Sequence, residues 1–246
     1  MLKRCLLLLF FWCGGVSPLQ AGVCEEWNTL YTRIRDFQME PAAAQAAFAP
    51  LHQRLRETYG RAGIGGAERF YPVLGYDANW GEKGAAYRPR GYRFFSGNRQ
   101  GIHPSLDLFI LDRNQDSLDD RSRKAVPIVA FSGGVVVGVN EEWEFPSPQR
   151  GGKYVWIFDP ATDRYSYYAH LAQVQVQLGQ VVQAGETLGL LGRTGLNAYK
   201  KRSPTHLHLT VLSYRQGEML PYNPWPELVR ARLGRRPAEL VAKGGK

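Results

Sequence analysis

The sequence predicts a mainly β protein, an antiparallel sheet or open barrel preceded by a small N-terminal helical hairpin. Three observations carry this. Aromatic and β-branched runs at Val135-Val136-Val137, Tyr154 to Phe158 and Tyr165 to Tyr168 are separated by Gly, Pro, Asp and Asn, which reads as short strands joined by turns. Glycines 179, 185, 189, 192 and 195 mark tight turns between further short strands. Ahead of these, Trp27, Leu30, Tyr31, Ile34 and Phe37 recur at helical spacing.

Taken in order, the chain opens with Lys3 and Arg4, an apolar run from Cys5 to Val16, and Ser17-Pro18-Leu19-Gln20-Ala21 with a small residue placed for cleavage. This is the pattern of a secretory signal peptide over residues 1–21, and the run is too short to span a bilayer. Export follows as an expectation, to a periplasm first and to full secretion as the alternative, with no transmembrane anchor after cleavage. The mature chain would carry +7, two less than the whole chain's +9, so a partner met at long range should be acidic. Cys5 and Cys13 would leave with the signal, and Cys24 alone cannot form an internal disulfide.

Residues 22–66 form the helical region. One helix is expected from Glu25 to Met39, ended by Pro41, and a second from Ala42 to Tyr59, kinked or split by Pro50. The glycines at 60, 63, 65 and 66 supply a boundary. The β domain then occupies residues 67–224. A basic tail follows over residues 225–246, with one helix near Pro226 to Leu233. The hairpin either packs on the β domain or lies over its groove, where it would inhibit or dock a regulatory protein partner.

Four of the five histidines fall in three β-rich segments: Gly101 to Asp107 with His103, Tyr167 to Leu171 with His170, and Thr205 to Leu209 with His206 and His208. His52 lies apart and reads as an ordinary surface or packing histidine. In the third segment period two puts His206, His208 and Thr210 on one strand face. A catalytic zinc takes three nitrogen or oxygen ligands and keeps an open position, and His103, Asp107 and one of the paired histidines supply such a set. Two histidines then remain for proton transfer and oxyanion stabilisation.

The combination of His103 with Asp107, Tyr-Ala-His170-Leu, the Gly-rich stretch and His206-Leu-His208 resembles the lysostaphin/LytM-type zinc endopeptidases, which cleave peptides of bacterial peptidoglycan. The resemblance covers roughly residues 71–224. It implies Zn2+ held by His103, Asp107 and His208, with His206 as the general base and His170 orienting the water or stabilising the tetrahedral intermediate. It implies an exported zinc metalloendopeptidase acting on peptidoglycan. The alternative is a non-catalytic regulator of the same fold that activates another wall hydrolase.

The sequence departs from the family pattern in three places. Ser105 stands where the family has Gly. A basic insertion, Leu196 to Thr205, is expected to wall the groove. A third insertion places Asp112, Asn114 and Asp116 at positions 1, 3 and 5 of a calcium-type loop, with Asp120 at position 9. Ser117 replaces its turn Gly and Arg123 its final Glu, so the stretch reads either as a structural Ca2+ site or as an Asx-turn loop.

Other classes fit poorly. There is no Gly-x-Ser-x-Gly elbow for a serine hydrolase, and the Gly-rich stretch lacks the Gly-Lys-Ser/Thr ending of a phosphate loop. Dispersed Lys and Arg on an exported chain do not suggest a nucleic-acid partner.

Overall fold

The structure, a computed structural model, describes residues 18–60, 63–79 and 87–233. Residues 1–17 of the expected signal peptide, and Arg235, Arg236, Lys243 and Lys246 of the basic tail, lie outside them. Among the described residues no helix is long and apolar enough to cross a membrane.

Helix α1 spans Pro18–Arg35 and α2 spans Pro41–Tyr59. The first therefore begins earlier than the apolar periodicity suggested, running back past the expected cleavage position, and it ends earlier than Met39. A Schellman arrangement closes it: Phe37 takes φ 58°, its N–H donates to the Ile34 carbonyl, and Gln38 N–H donates to Arg33. Helix α2 is not split at Pro50. Pro50 is exposed, while Phe48, Leu51 and Leu55 on the inner face are buried, and that packing outweighs one missing backbone bond.

Eleven strands follow: β1 Ser105–Phe109, β2 Leu118–Asp119, β3 Lys124–Ala125, β4 Pro127–Val129, β5 Gly134–Asn140, β6 Lys153–Asp159, β7 Arg164–Val174, β8 Val181–Val182, β9 Thr187–Leu191, β10 His206–Arg215 and β11 Glu218–Tyr222. Nine form one antiparallel sheet in which β1, β10, β7, β6, β5 and β8 are successive neighbours, β11 joins β10, and β4 and β9 attach beside β7. The predicted mainly β architecture with its helical hairpin is what is observed. The expected C-terminal helix shrinks to one turn, α3 Trp225–Leu228.

Period two divides the core. Val136, Val155, Ile157, Leu207, Leu209 and Val211 face one cluster, which also holds Val73, Ile128 and Leu188. Val135, Val137, Tyr154, Trp156, Phe158, Tyr165 and Tyr167 face the other, together with Trp27, Leu51 and Leu55 of the hairpin. The hairpin thus shares a core with the sheet. Trp27 packs against Trp156 and Tyr165 with ring centroids 5.6 Å away in each case. Gly138 makes room for it, since a Cβ there would stand 2.8 Å from the Trp27 ring.

His52 belongs to this core. Its Nδ1 lies 2.8 Å from the Tyr165 hydroxyl, its ring packs on Tyr214, and burial together with the Arg56 guanidinium pushes its pKa down to about 4. Cys24 is likewise internal. Burial pushes its thiol up to about 11 beside the Tyr59 hydroxyl, which leaves it an inert packing group.

Candidate metal centre

On β10 the alternation sends Leu207, Leu209 and Val211 into the core, so His206, His208 and Thr210 must emerge on the opposite face. That face also carries Tyr167 and the hairpin, and the histidines lie at its uncovered end. Register completes the arrangement: Asp107 of β1 pairs directly with His208, Ser105 pairs with Thr210, and Ala169 of β7 flanks His208 on the other side. Ser105 and Thr210 hydrogen-bond through their hydroxyls, a use for the hydroxyl at the position where the sequence departs from Gly.

His103 comes from the loop before β1. The Asn98 side chain braces that loop through both polar atoms, accepting from Ile102 N–H and donating to the Ile102 carbonyl, while Arg88 N–H donates to the His103 carbonyl. The result is a tight donor group. Asp107 Oδ1 lies 3.2 Å from His103 Nε2, 3.2 Å from His208 Nδ1 and 3.7 Å from His206 Nε2.

These separations suit a metal. Ligands about 2.0–2.1 Å from a tetrahedral zinc are about 3.4 Å apart, close to both Asp107 contacts. Among the described residues two groups could hold an ion, His103–Asp107–His208 and His170–His206–His208. The first contains the carboxylate and is the more open of the two, with its members all half-buried. Burial raises the Asp107 carboxyl, but hydrogen bonds from His103 and His208 outweigh this and hold it well below the usual carboxylate range.

The other two imidazoles are oriented by backbone carbonyls. His206 Nδ1–H donates to Pro204 at 2.7 Å, and His170 Nδ1–H donates to Thr194 at 2.8 Å. A carbonyl can only accept, so Nδ1 carries a proton in each ring, and it is Nε2 that holds the lone pair in the neutral form. The two rings sit 5.0 Å apart between centroids, and His170 lies 5.5 Å from His208. Burial, then the neighbouring His208 and His206, hold His170 well below the ordinary histidine pKa, so it is neutral at pH 7.

His170 has φ +69°, an unfavourable value for a residue with a side chain, at the irregularity where β7 skips one residue in its pairing with β6. Its N–H donates to Gly151 and its carbonyl accepts from Gly192, so both neighbouring loops hold it there. Strain of this kind persists only where surroundings enforce it.

The Asp-rich loop is organised by hydrogen bonds among its own side chains and backbone. Neither metal-competent group among the described residues includes Asp112, Asp116 or Asp120. Asp112 instead accepts from Asp116 N–H, Ser117 N–H and the Thr205 hydroxyl, while the Asn114 amide bonds Asp116 and Asp120 accepts from Arg113 N–H. Asx turns add to these, Asp116 N–H donating to Asn114 Oδ1 and Leu118 N–H to Asp116 Oδ1, and the bond to Thr205 braces the residue preceding His206.

The basic insertion stands beside the centre. Arg193 ties it down through Ser203, Thr205, Lys200 and Gln115, and Tyr199 packs against Phe145 and Trp143 of the β5–β6 loop. Sequence reasoning did not single out Asn98, Thr194 or Arg193. Asn98 acts through Ile102 four residues on, Thr194 through His170 24 residues back, and Arg193 through its own loop and Gln115; none carries a motif of its own.

Residues 113–221 match the model of Peptidase family M23, which spans His170, His206 and His208. Members of that family are generally metallo-endopeptidases acting on peptidoglycan. Among curated proteins no significant relative is found. Similar solved structures include the catalytic domain of lysostaphin from Staphylococcus simulans, 21% identical over 67% of this chain and 90% of that one, TM-score 0.37. A putative glycyl-glycine endopeptidase lytM from Ruminococcus gnavus is 21% identical over 89% and 90%, TM-score 0.45. A zinc-containing peptidase from Vibrio cholerae is 20% identical over 68% and 41%, TM-score 0.41.

Proposed function

We propose that this chain, a member of peptidase family M23 through its domain at residues 113–221, is an exported zinc endopeptidase that hydrolyses peptides of bacterial peptidoglycan. One observation carries the reading: three donors suited to zinc converge at His103, Asp107 and His208 while two further imidazoles, each with Nδ1 held by a backbone carbonyl, stand beside them. A site built only for structure would have no use for the second pair.

His103, Asp107 and His208 would hold the ion, two nitrogens and one oxygen of the kind a catalytic zinc takes. Zinc, when bound, lowers the pKa of a water to near 7 and polarises a carbonyl oxygen. The chain's own part is to manage the proton. His206 offers its Nε2 lone pair to the attacking water and takes the proton, and the Pro204 carbonyl stabilises the resulting imidazolium through Nδ1–H. His170, held neutral by burial, accepts a hydrogen bond at Nε2 and orients that water. The apolar run at residues 5–16 and the net positive charge support export to an acidic wall.

Purified peptidoglycan is the test substrate. New peptide ends are expected with the intact protein, lost in His206→Ala and after chelation, and restored by zinc in the latter alone. Zinc-loaded protein that releases nothing from several wall chemistries would overturn catalysis and leave the regulator of another hydrolase.

A further inference from the structure

We infer that Arg150 is the substrate-carboxylate anchor of the metal centre, so that the preferred substrates are peptides bearing a free carboxylate close to the scissile bond. The inference rests on the peptidase reading above and names the substrate class of that site.

The backbone around Arg150 is fixed against the His170 side. Gln149 accepts from Leu196 N–H and from Trp143 Nε1–H, and Gly151 accepts from His170 N–H. The Arg150 carbonyl itself lies against Gly195, where a Cβ would stand 2.2 Å from that oxygen and 3.0 Å from His170 Nδ1. Its side chain reaches the other side of the centre. A Cβ on Gly101 would stand 3.0 Å from one terminal guanidinium nitrogen and 3.7 Å from both the central carbon and the second terminal nitrogen. Gly101 has φ +65° and lies two residues before His103. The guanidinium therefore lies over the loop that carries His103 while its backbone belongs to the loop that holds His170.

Arg150 is exposed, and among the described residues no hydrogen bond, ion pair or ring contact engages its side chain. The arginines it stands apart from are those held within the fold: Arg69 and Arg164 by Glu227, Arg193 by the insertion. A guanidinium with its fork of donors unused, beside the loop that carries His103, matches a carboxylate in both charge and planar geometry. The Cβ-less Gly101 is what leaves it that position.

The test compares a stem peptide released from peptidoglycan, carboxylates free, with the same peptide after conversion of those carboxylates to amides. Calorimetric binding to chelator-stripped His206→Ala protein reads recognition without turnover. The free acid is expected to bind about tenfold more tightly than the amide, the scale of one charge-assisted contact. In Arg150→Gln the two should bind within about twofold of each other, and Arg150→Lys should recover part of the difference. Equal binding of acid and amide to the unsubstituted rim, or a preference that survives in Arg150→Gln, would overturn the assignment. So would inorganic phosphate binding as tightly as the free acid, since the site would then be a general anion contact. Cleavage without carboxylate preference sinks this inference alone. A preference that follows Arg150 without any cleavage sinks only the peptidase reading.

Discussion

His170 holds a left-handed backbone, φ +69°, while its Nδ1–H donates to the carbonyl of Thr194 at 2.8 Å. Thr194 is in turn secured through its hydroxyl, which donates to Leu171 and accepts from Lys153 N–H. The ring's direction is therefore set by a chain of bonds joining β7, the start of β6 and the loop after β9.

The strain at this position separates stability from chemistry. His170→Gly is expected to be more stable than His170→Ala by about 1 kcal/mol, because glycine occupies positive φ without penalty. Both should lose peptide cleavage to a similar degree. Urea unfolding of the two variants beside an activity assay checks this, and equal midpoints would remove the strain argument.

Gly195 tests the same contact from outside. A Cβ there would clash with the Arg150 carbonyl and crowd His170 Nδ1. Gly195→Ala is expected to lower kcat by about 10- to 100-fold, the usual cost of disturbing a group that orients a functional histidine. Zinc binding should stay near its original strength, since the donor group of His103, Asp107 and His208 is untouched.

Metal removal distinguishes ligands from bases. Zinc added to chelator-stripped protein should raise the melting temperature, by the equivalent of about 4 kcal/mol at a thousandfold excess over Kd. His103→Ala and Asp107→Ala should abolish the shift, while His206→Ala retains it. The reverse pattern would assign the ion to the other convergent group, His170–His206–His208.

His52 makes the fold sensitive to acid. Its folded pKa, about 4, lies below the ordinary 6.5, so the unfolded chain binds more protons between those values. Stability from this group is complete above about pH 6.5 and falls as pH drops towards 4. Asp163, 3.7 Å away, and Arg56 are the charged groups facing it. Urea midpoints between pH 7.5 and 4.5 should decline less steeply in His52→Gln than in the original protein, even if the variant is less stable at pH 7.5.

The helical hairpin carries part of the core, so Trp27→Ala should cost about 3–5 kcal/mol. A chain beginning at residue 67 would expose Trp156, Phe158 and Tyr165 and is expected to aggregate rather than show released activity. A soluble, faster enzyme from that truncation would instead mean that the hairpin inhibits.

Much of this protein was legible before any coordinates, because the signals were local. Period two at His206 to Val211 was sufficient to place His206 and His208 together on one face, and strand runs interrupted by turn residues were sufficient for the β class. Tertiary packing also adds what local signals do not hold: α2 runs unsplit through Pro50 with Phe48, Leu51 and Leu55 buried, and in the loop that reads as either a calcium site or an Asx-turn loop, Asp112 bonds Thr205, 93 positions away.

The chain alphabet alone determined which side chains were available to the chemistry and which of them share a strand face. It could not say which paired histidine meets Asp107, because both emerge on the same side. Tertiary structure decided that through register: β1 runs antiparallel to β10 with Asp107 opposite His208, so Oδ1 comes to 3.2 Å from one imidazole and stays 3.7 Å from the other. A register is a property of two strands about a hundred residues apart. Backbone hydrogen bonds between them, not anything in either segment alone, fix where the carboxylate arrives.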